Sequence, residues 1–92
     1  MKYTPKFSSR FWKDYKKAQR QNRDIAKLKT AVGMLCAGEA LPPHNRDHAL
    51  HGNYEGCREC HVAPDWLFIY RIHENSMTLE AVRTGSHSEL FG

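Results

Sequence analysis

Ninety-two residues, 40% of them hydrophobic, suit one compact domain with a single core, although a chain this short buries only roughly 60–65% of its unfolded surface. No apolar run approaches the roughly 18 residues of a membrane span, and Met1-Lys2-Tyr3-Thr4-Pro5 lacks a secretory apolar stretch, so no membrane partner and a cytoplasmic location are expected. The net charge of +4 is uneven: residues 1–30 hold ten Lys and Arg against two acids, and the remainder holds four Arg against eight acids. Such a basic half suits a polyanion such as RNA, or is simply a pair of solvated Lys-rich helix faces.

Residues 2 to 7 are compatible with an edge strand, since Pro5 lacks the amide that a central strand needs. Ser8 or Ser9 can cap a helix with Phe11, Tyr15 and Ala18 on one face and lysines on the other, ending near Gln21-Asn22. A second helix starts near Asp24, places Ile25, Leu28, Val32 and Leu35 on one stripe, and stops at Gly38, which suits a left-handed cap. The two form a helical hairpin. Pro42-Pro43 makes residues 41–48 an ordered loop. Beyond Gly52 the pattern turns to period two, with antiparallel strands near 54–62, 66–72 and 78–84.

A register follows if cross-strand partners share a face. Pairing Val62 with Leu67 aligns Cys60 with Ile69 on the core side and leaves His61 beside Phe68 and Glu59 beside Tyr70 on the other. Aligning Ile69 with Val82 then adds Arg83 to an open row of His61, Phe68 and Arg83.

The run Cys57-Arg58-Glu59-Cys60-His61 invites a zinc reading, but strand residues three apart lie roughly 10 Å apart on opposite faces. No metal is expected there, and three cysteines without an export signal are expected reduced. Among six histidines, His44 and His73 fall in polar loops, whereas His48, His61 and His87 adjoin strand boundaries with charged or aromatic partners in reach. An imidazole titrates near neutrality, so these three suit either acid-base chemistry or structure. Arg83 suits a phosphate or an ion pair with Glu59 or Glu80. Asp65 fits a turn, Trp66 a core cover, and Phe91 a terminus or core plug.

Three stretches, Arg46 to Gly52, Gly56 to Tyr70 and Arg83 to Gly92, resemble the YafQ branch of the RelE/ParE toxin superfamily. The specific signals are His61-x-x-x-Pro64-Asp65-Trp66 and Arg83-Thr84-Gly85-x-His87 with a terminal Phe91. The resemblance implies one α+β RelE-like domain over residues 1–92: a short N-terminal strand, a two-helix hairpin on an antiparallel sheet of about four strands, and a short C-terminal helical turn. It implies a toxin with a cognate antitoxin, cleaving mRNA in the ribosomal A site without metal or other cofactor. The implied working set is His48, His61, Asp65, Arg83 and His87 for catalysis, with Trp66 and Phe91 against the substrate base.

Those residues suit attack of a ribose 2′-hydroxyl on the adjacent phosphate, with Arg83 on the phosphate, His87 as acid, and His61, Asp65 or His48 sharing base and orienting roles. Lys13, Lys16, Lys17 and Arg20 on the first helix then suit ribosomal RNA phosphates. Two competing readings are a ParE-like toxin that inhibits gyrase without nuclease activity and an inactive homologue kept as a binding module.

Overall fold

A computed structural model describes residues 1–92, and its first helix, α1 (Ser9–Arg20), begins at the cap expected for it. Ser8 is extended, at φ −71° and ψ 158°, and its hydroxyl accepts from the Phe11 amide, one of the donors a helix start leaves unpaired. Phe11 and Ala18 are buried along one stripe. Asn22, in the left-handed region at φ 58°, turns the chain into α2 (Ile25–Cys36), which buries Leu28, Ala31, Leu35 and Cys36 before Gly38 reverses the chain at φ 80°.

The sheet has five strands in the order β1-β5-β4-β3-β2, where β1 is Thr4–Phe7, β2 His48–Ala49, β3 Arg58–Ala63, β4 Trp66–His73 and β5 Thr78–Gly85. It is mixed, not wholly antiparallel, because β1 runs parallel to β5, from Thr4 opposite Thr78 to Phe7 opposite Ala81. Pro5 does lie on an edge strand. The fifth strand is the two-residue β2, which begins at the last residue of the stretch expected to be loop, and residues 52–54 form a single 3-10 turn where strand was expected to begin.

The expected register is off by one. His61 lies opposite Leu67, not Phe68, because Ala63 pairs with Trp66 across a two-residue turn and Val62 is bulged. Asp65 accepts φ 51° in that turn. A second irregularity at Val82 sets Ile69 opposite Arg83. The consequence is a reversal of faces for β4. Trp66, Phe68 and Tyr70 point to the helices and join Phe11, Leu28 and Leu35 in the main core, with Phe11 edge-on to Phe68 at 5.9 Å. Leu67 and Ile69 lie on the opposite face, where they meet Leu90 of the terminal helix α3 (His87–Phe91) in a smaller cluster. Each large apolar side chain so buried contributes about 1.5–3 kcal/mol.

Cys57 and Cys60 fall into different clusters, as their spacing in an extended chain requires. All three cysteines are buried and unpaired, and burial pushes the Cys60 thiol up to about 12.

Candidate active site

The corrected register builds two adjacent rows on the sheet face away from the helices. One runs His48, Glu59, Ile69, Arg83 across β2, β3, β4 and β5, and the next runs His61, Leu67, Gly85. Cross-strand neighbours sit about 5 Å apart, so His48, Glu59 and His61 converge beside the buried apolar pair Leu67 and Ile69, with Arg83 at the far end of the first row. His87 enters from α3, its ring centroid 5.7 Å from that of His61.

The motif Arg83-Thr84-Gly85-x-His87 has a local explanation. The Thr84 hydroxyl donates to the Leu67 carbonyl at 2.7 Å and ties β5 to β4. At Gly85 a Cβ would stand 3.1 Å from Glu89 Oε1 and 3.3 Å from Leu90, so the missing side chain lets α3 fold back. Ser86 and Glu89 form a reciprocal capping box. His87 thereby takes the first helical position, whose amide has no helical partner, and donates that amide to Asp65 Oδ1 at 3.0 Å.

The same Asp65 oxygen lies 2.9 Å from His87 Nδ1. Backbone and side-chain hydrogen bonds from His87 lower the Asp65 pKa. An ionised carboxylate only accepts, which puts the proton on Nδ1 and leaves Nε2 facing out. Asp65 therefore orients His87. Likewise His48 Nδ1 donates to the Arg46 carbonyl at 2.6 Å, directing its Nε2 toward Glu59 Oε1, 4.0 Å away.

Glu59 is the group that the sequence reading missed. Its carboxylate is almost wholly buried, with Oε1 3.8 Å from His61 Nε2, and so lies between His48 and His61. The sequence offered one signal, its place two residues before His61 on the same strand face, but Glu59 was weighed only as an ion-pair partner for Arg83.

Two neighbouring loop residues also act on the site. Asn45 Nδ2 donates to the His61 carbonyl at 2.7 Å, a carbonyl beside the bulge at Val62. Asp47 accepts from the Tyr70 hydroxyl at 2.6 Å and from Arg58 Nε at 3.2 Å, anchoring the entry to β2.

Arg83 is more constrained than expected. Its Nε and Nη2 reach Asp14 at 2.7 and 3.2 Å, and Asp14 Oδ2 also takes the Thr84 amide at 3.2 Å. With the Arg83 and Asp14 side chains 14% and 12% exposed, this is a buried ion pair with a partner on α1, not Glu59 or Glu80. The paired Asp14 carboxylate keeps the guanidinium firmly charged.

Trp66 corrects the expectation of a base contact. At 1% exposure its ring has no free face, and Arg23 lies 5.5 Å over it. Its indole Nε1 is buried without a partner. Phe91 remains available, 49% exposed and edge-on to Tyr54 at 5.7 Å. Lys13, Lys16, Lys17 and Arg20 are exposed on α1, but Lys17 is paired with Glu89 at 2.7 Å.

Ligand atoms of Glu59, His61 and His87 all lie within 4.8 Å of one another. Two imidazoles and a carboxylate are a donor set for a transition metal, after a small rotation to bring them to bonding distance of about 2.1 Å.

The fold is that of small bacterial toxins. The structure superposes on that of the Escherichia coli DinJ-YafQ toxin-antitoxin complex with TM-score 0.89, 36% identity and full coverage of both chains. It matches a metal-bound toxin from Helicobacter pylori with TM-score 0.91 and 42% identity, covering 97% of this chain and 99% of that one. A family model described as "Bacterial toxin of type II toxin-antitoxin system, YafQ" matches residues 3–92. The mRNA interferase toxin YafQ of Escherichia coli K12 is 39% identical over 94% of this chain and 92% of its own. The chain belongs to the YafQ family of type II toxins.

Proposed function

We propose that this toxin is an endoribonuclease of the RelE/ParE superfamily, one domain over residues 1–92, that cuts mRNA in the ribosomal A site and is held inactive in the cytoplasm by a cognate antitoxin. The similarity to an mRNA interferase and to a toxin solved with its antitoxin supports this reading. The observation that carries it is the pair of imidazoles, His61 and His87, 5.7 Å apart at the edge of the face covered by α3, each beside its own carboxylate.

RNA cleavage by its own 2′-hydroxyl needs a base at that oxygen, an acid at the departing 5′-oxygen, and positive charge at phosphorus. His61, steadied by Glu59, takes the 2′-proton. His87, held by Asp65, gives a proton from Nε2 to the 5′-oxygen. A 2′,3′-cyclic phosphate and a free 5′-hydroxyl result. Arg83 faces the phosphate with the guanidinium edge that Asp14 leaves free, while Glu59 supports the charge that His61 gains and His48 helps to hold Glu59 in place. Phe91 confines the unstacked base. No metal enters these steps; an ion on Glu59, His61 and His87 would occupy the lone pairs that proton transfer needs.

A ParE-like gyrase inhibitor has no use for paired imidazoles, and an inactive homologue has no use for their orienting carboxylates. Induction in bacteria, with mRNA ends mapped and DNA supercoiling followed in parallel, tests the reading. New ends within codons with unchanged supercoiling are expected, and altered supercoiling without new ends would overturn it.

A further inference from the structure

Beyond the catalytic rows a cavity of about 960 Å³ extends between α2 and the segment Pro42–Arg46, and its inner end opens on His61 and His87. That volume is at the upper end of ordinary ligand sites, about 300–1,000 Å³. Ala31, Met34, Leu41 and Val62 contribute apolar surface to it, and Lys27, His44 and Arg46 contribute cationic or titratable groups. Asp65 is the one acid along it, and its carboxylate is engaged by His87. The groove thus presents positive charge and apolar surface, the two features that hold a single strand by phosphates and bases.

The wall is tied to the catalytic groups. Arg46 sits at φ 49°, a left-handed conformation costly for a side chain other than glycine, and strain of this kind persists where the surroundings fix it. That conformation aims its carbonyl at His48 Nδ1, while Asn45 next to it holds the His61 carbonyl. A strand lying on this wall is therefore registered against two of the imidazoles.

We propose that this groove seats the mRNA strand flanking the reacting phosphate, with Lys27 and Arg46 on its phosphates and the apolar surface of Met34 and Leu41 against a base or ribose. The inference rests on the ribonuclease reading and adds to it a second binding element, separate from the lysines of α1. Contacts of this type hold the strand without choosing its sequence, so their loss weakens binding equally across codons.

The test uses the double variant Lys27→Glu/Arg46→Glu, with Lys27→Arg/Arg46→Lys as the charge-preserving control. Both positions are exposed, and any L-residue at 46 bears the same backbone conformation as Arg46. Cleavage is measured on ribosomes carrying mRNA. Binding is measured on ribosomes whose mRNA either continues through the A site or ends at the P-site codon. The reversed variant is expected to raise KM on the order of tenfold or more with kcat within about twofold, and to flatten the salt dependence by about one unit of slope per lost phosphate contact. Its affinity falls only where an A-site codon is present, and the control behaves as wild type. Unchanged KM and slope would overturn the proposal. So would equal weakening on both ribosomes, which makes the groove a ribosomal RNA contact, or lost antitoxin binding with normal cleavage, which makes it the antitoxin's seat. Failure of the wild type to cut at all counts against the ribonuclease reading, and the binding comparison still decides the groove.

Discussion

Trp66 separates the structure's account of this face from the one that family resemblance supplies. If its ring stacks on substrate, any change there raises KM; if it belongs to the core, changes there lower stability. At 1% exposure, truncation in Trp66→Ala should cost about 3–5 kcal/mol, the usual range for a buried aromatic. A domain of this size holds only about 5–15 kcal/mol in total, so its melting temperature should drop on the order of 20 °C. Trp66→Phe is the sharper variant. It loses part of the ring's packing but also removes an indole N–H that is buried without a partner, a defect worth about 1–3 kcal/mol in its own right. The two effects nearly offset, and a net loss of about 1 kcal/mol is expected. Urea denaturation reads the stability and ribosome-bound mRNA cleavage reads the kinetics. A Trp66→Phe protein of near-normal stability with KM raised tenfold would refute the core assignment.

Asp14→Ala strands the Arg83 guanidinium in a buried position and should cost about 3 kcal/mol, with Asp14→Ala/Arg83→Leu recovering part of it because no charge is then left unpaired; denaturation of the two variants checks this. Glu89 is held down to about 2, first by Lys17 and then by the Ser86 amide. Its contribution is thus complete above the unfolded carboxyl value of 4.5 and disappears as the pH falls toward 2. The stability gap between wild type and Glu89→Gln should close over that window, and a gap independent of pH would contradict it. Added copper or zinc should inhibit cleavage through Glu59, His61 and His87, and Glu59→Ala should weaken that inhibition at least tenfold. A chelator that spares magnesium should leave the uninhibited rate unchanged.

The helices were legible because their signals are local: the Ser8 cap, the Phe11 and Leu28 stripes, and the stop at Gly38. Faces of the sheet were not, for two physical reasons. Strand β4 is buried on both sides from Trp66 to Tyr70, so alternation carried no information about which side meets the helices. The bulge at Val62 then moved the pairings of Arg58 to His61 by one, which set Phe68 on the wrong face. The parallel pairing of β1 depends on a partner more than 70 residues away, and nothing in Thr4–Phe7 announces it. Within the site, His61, Asp65 and His87 are brought together as the motifs implied. The Asp14 partner of Arg83 could not be found from a motif, because it comes from the opposite end of the chain.

The central claim is that His61 and His87 move the two protons of an RNA transesterification. Single-turnover cleavage of ribosome-bound mRNA by wild type, His61→Ala and His87→Ala, with the ends of the products identified, tests it most directly. Wild type should leave a 2′,3′-cyclic phosphate and a 5′-hydroxyl, and each variant should lose about 10²–10⁴ in rate while still binding the ribosome. Undiminished cleavage by either variant, or a 5′-phosphate on the product, would contradict the account.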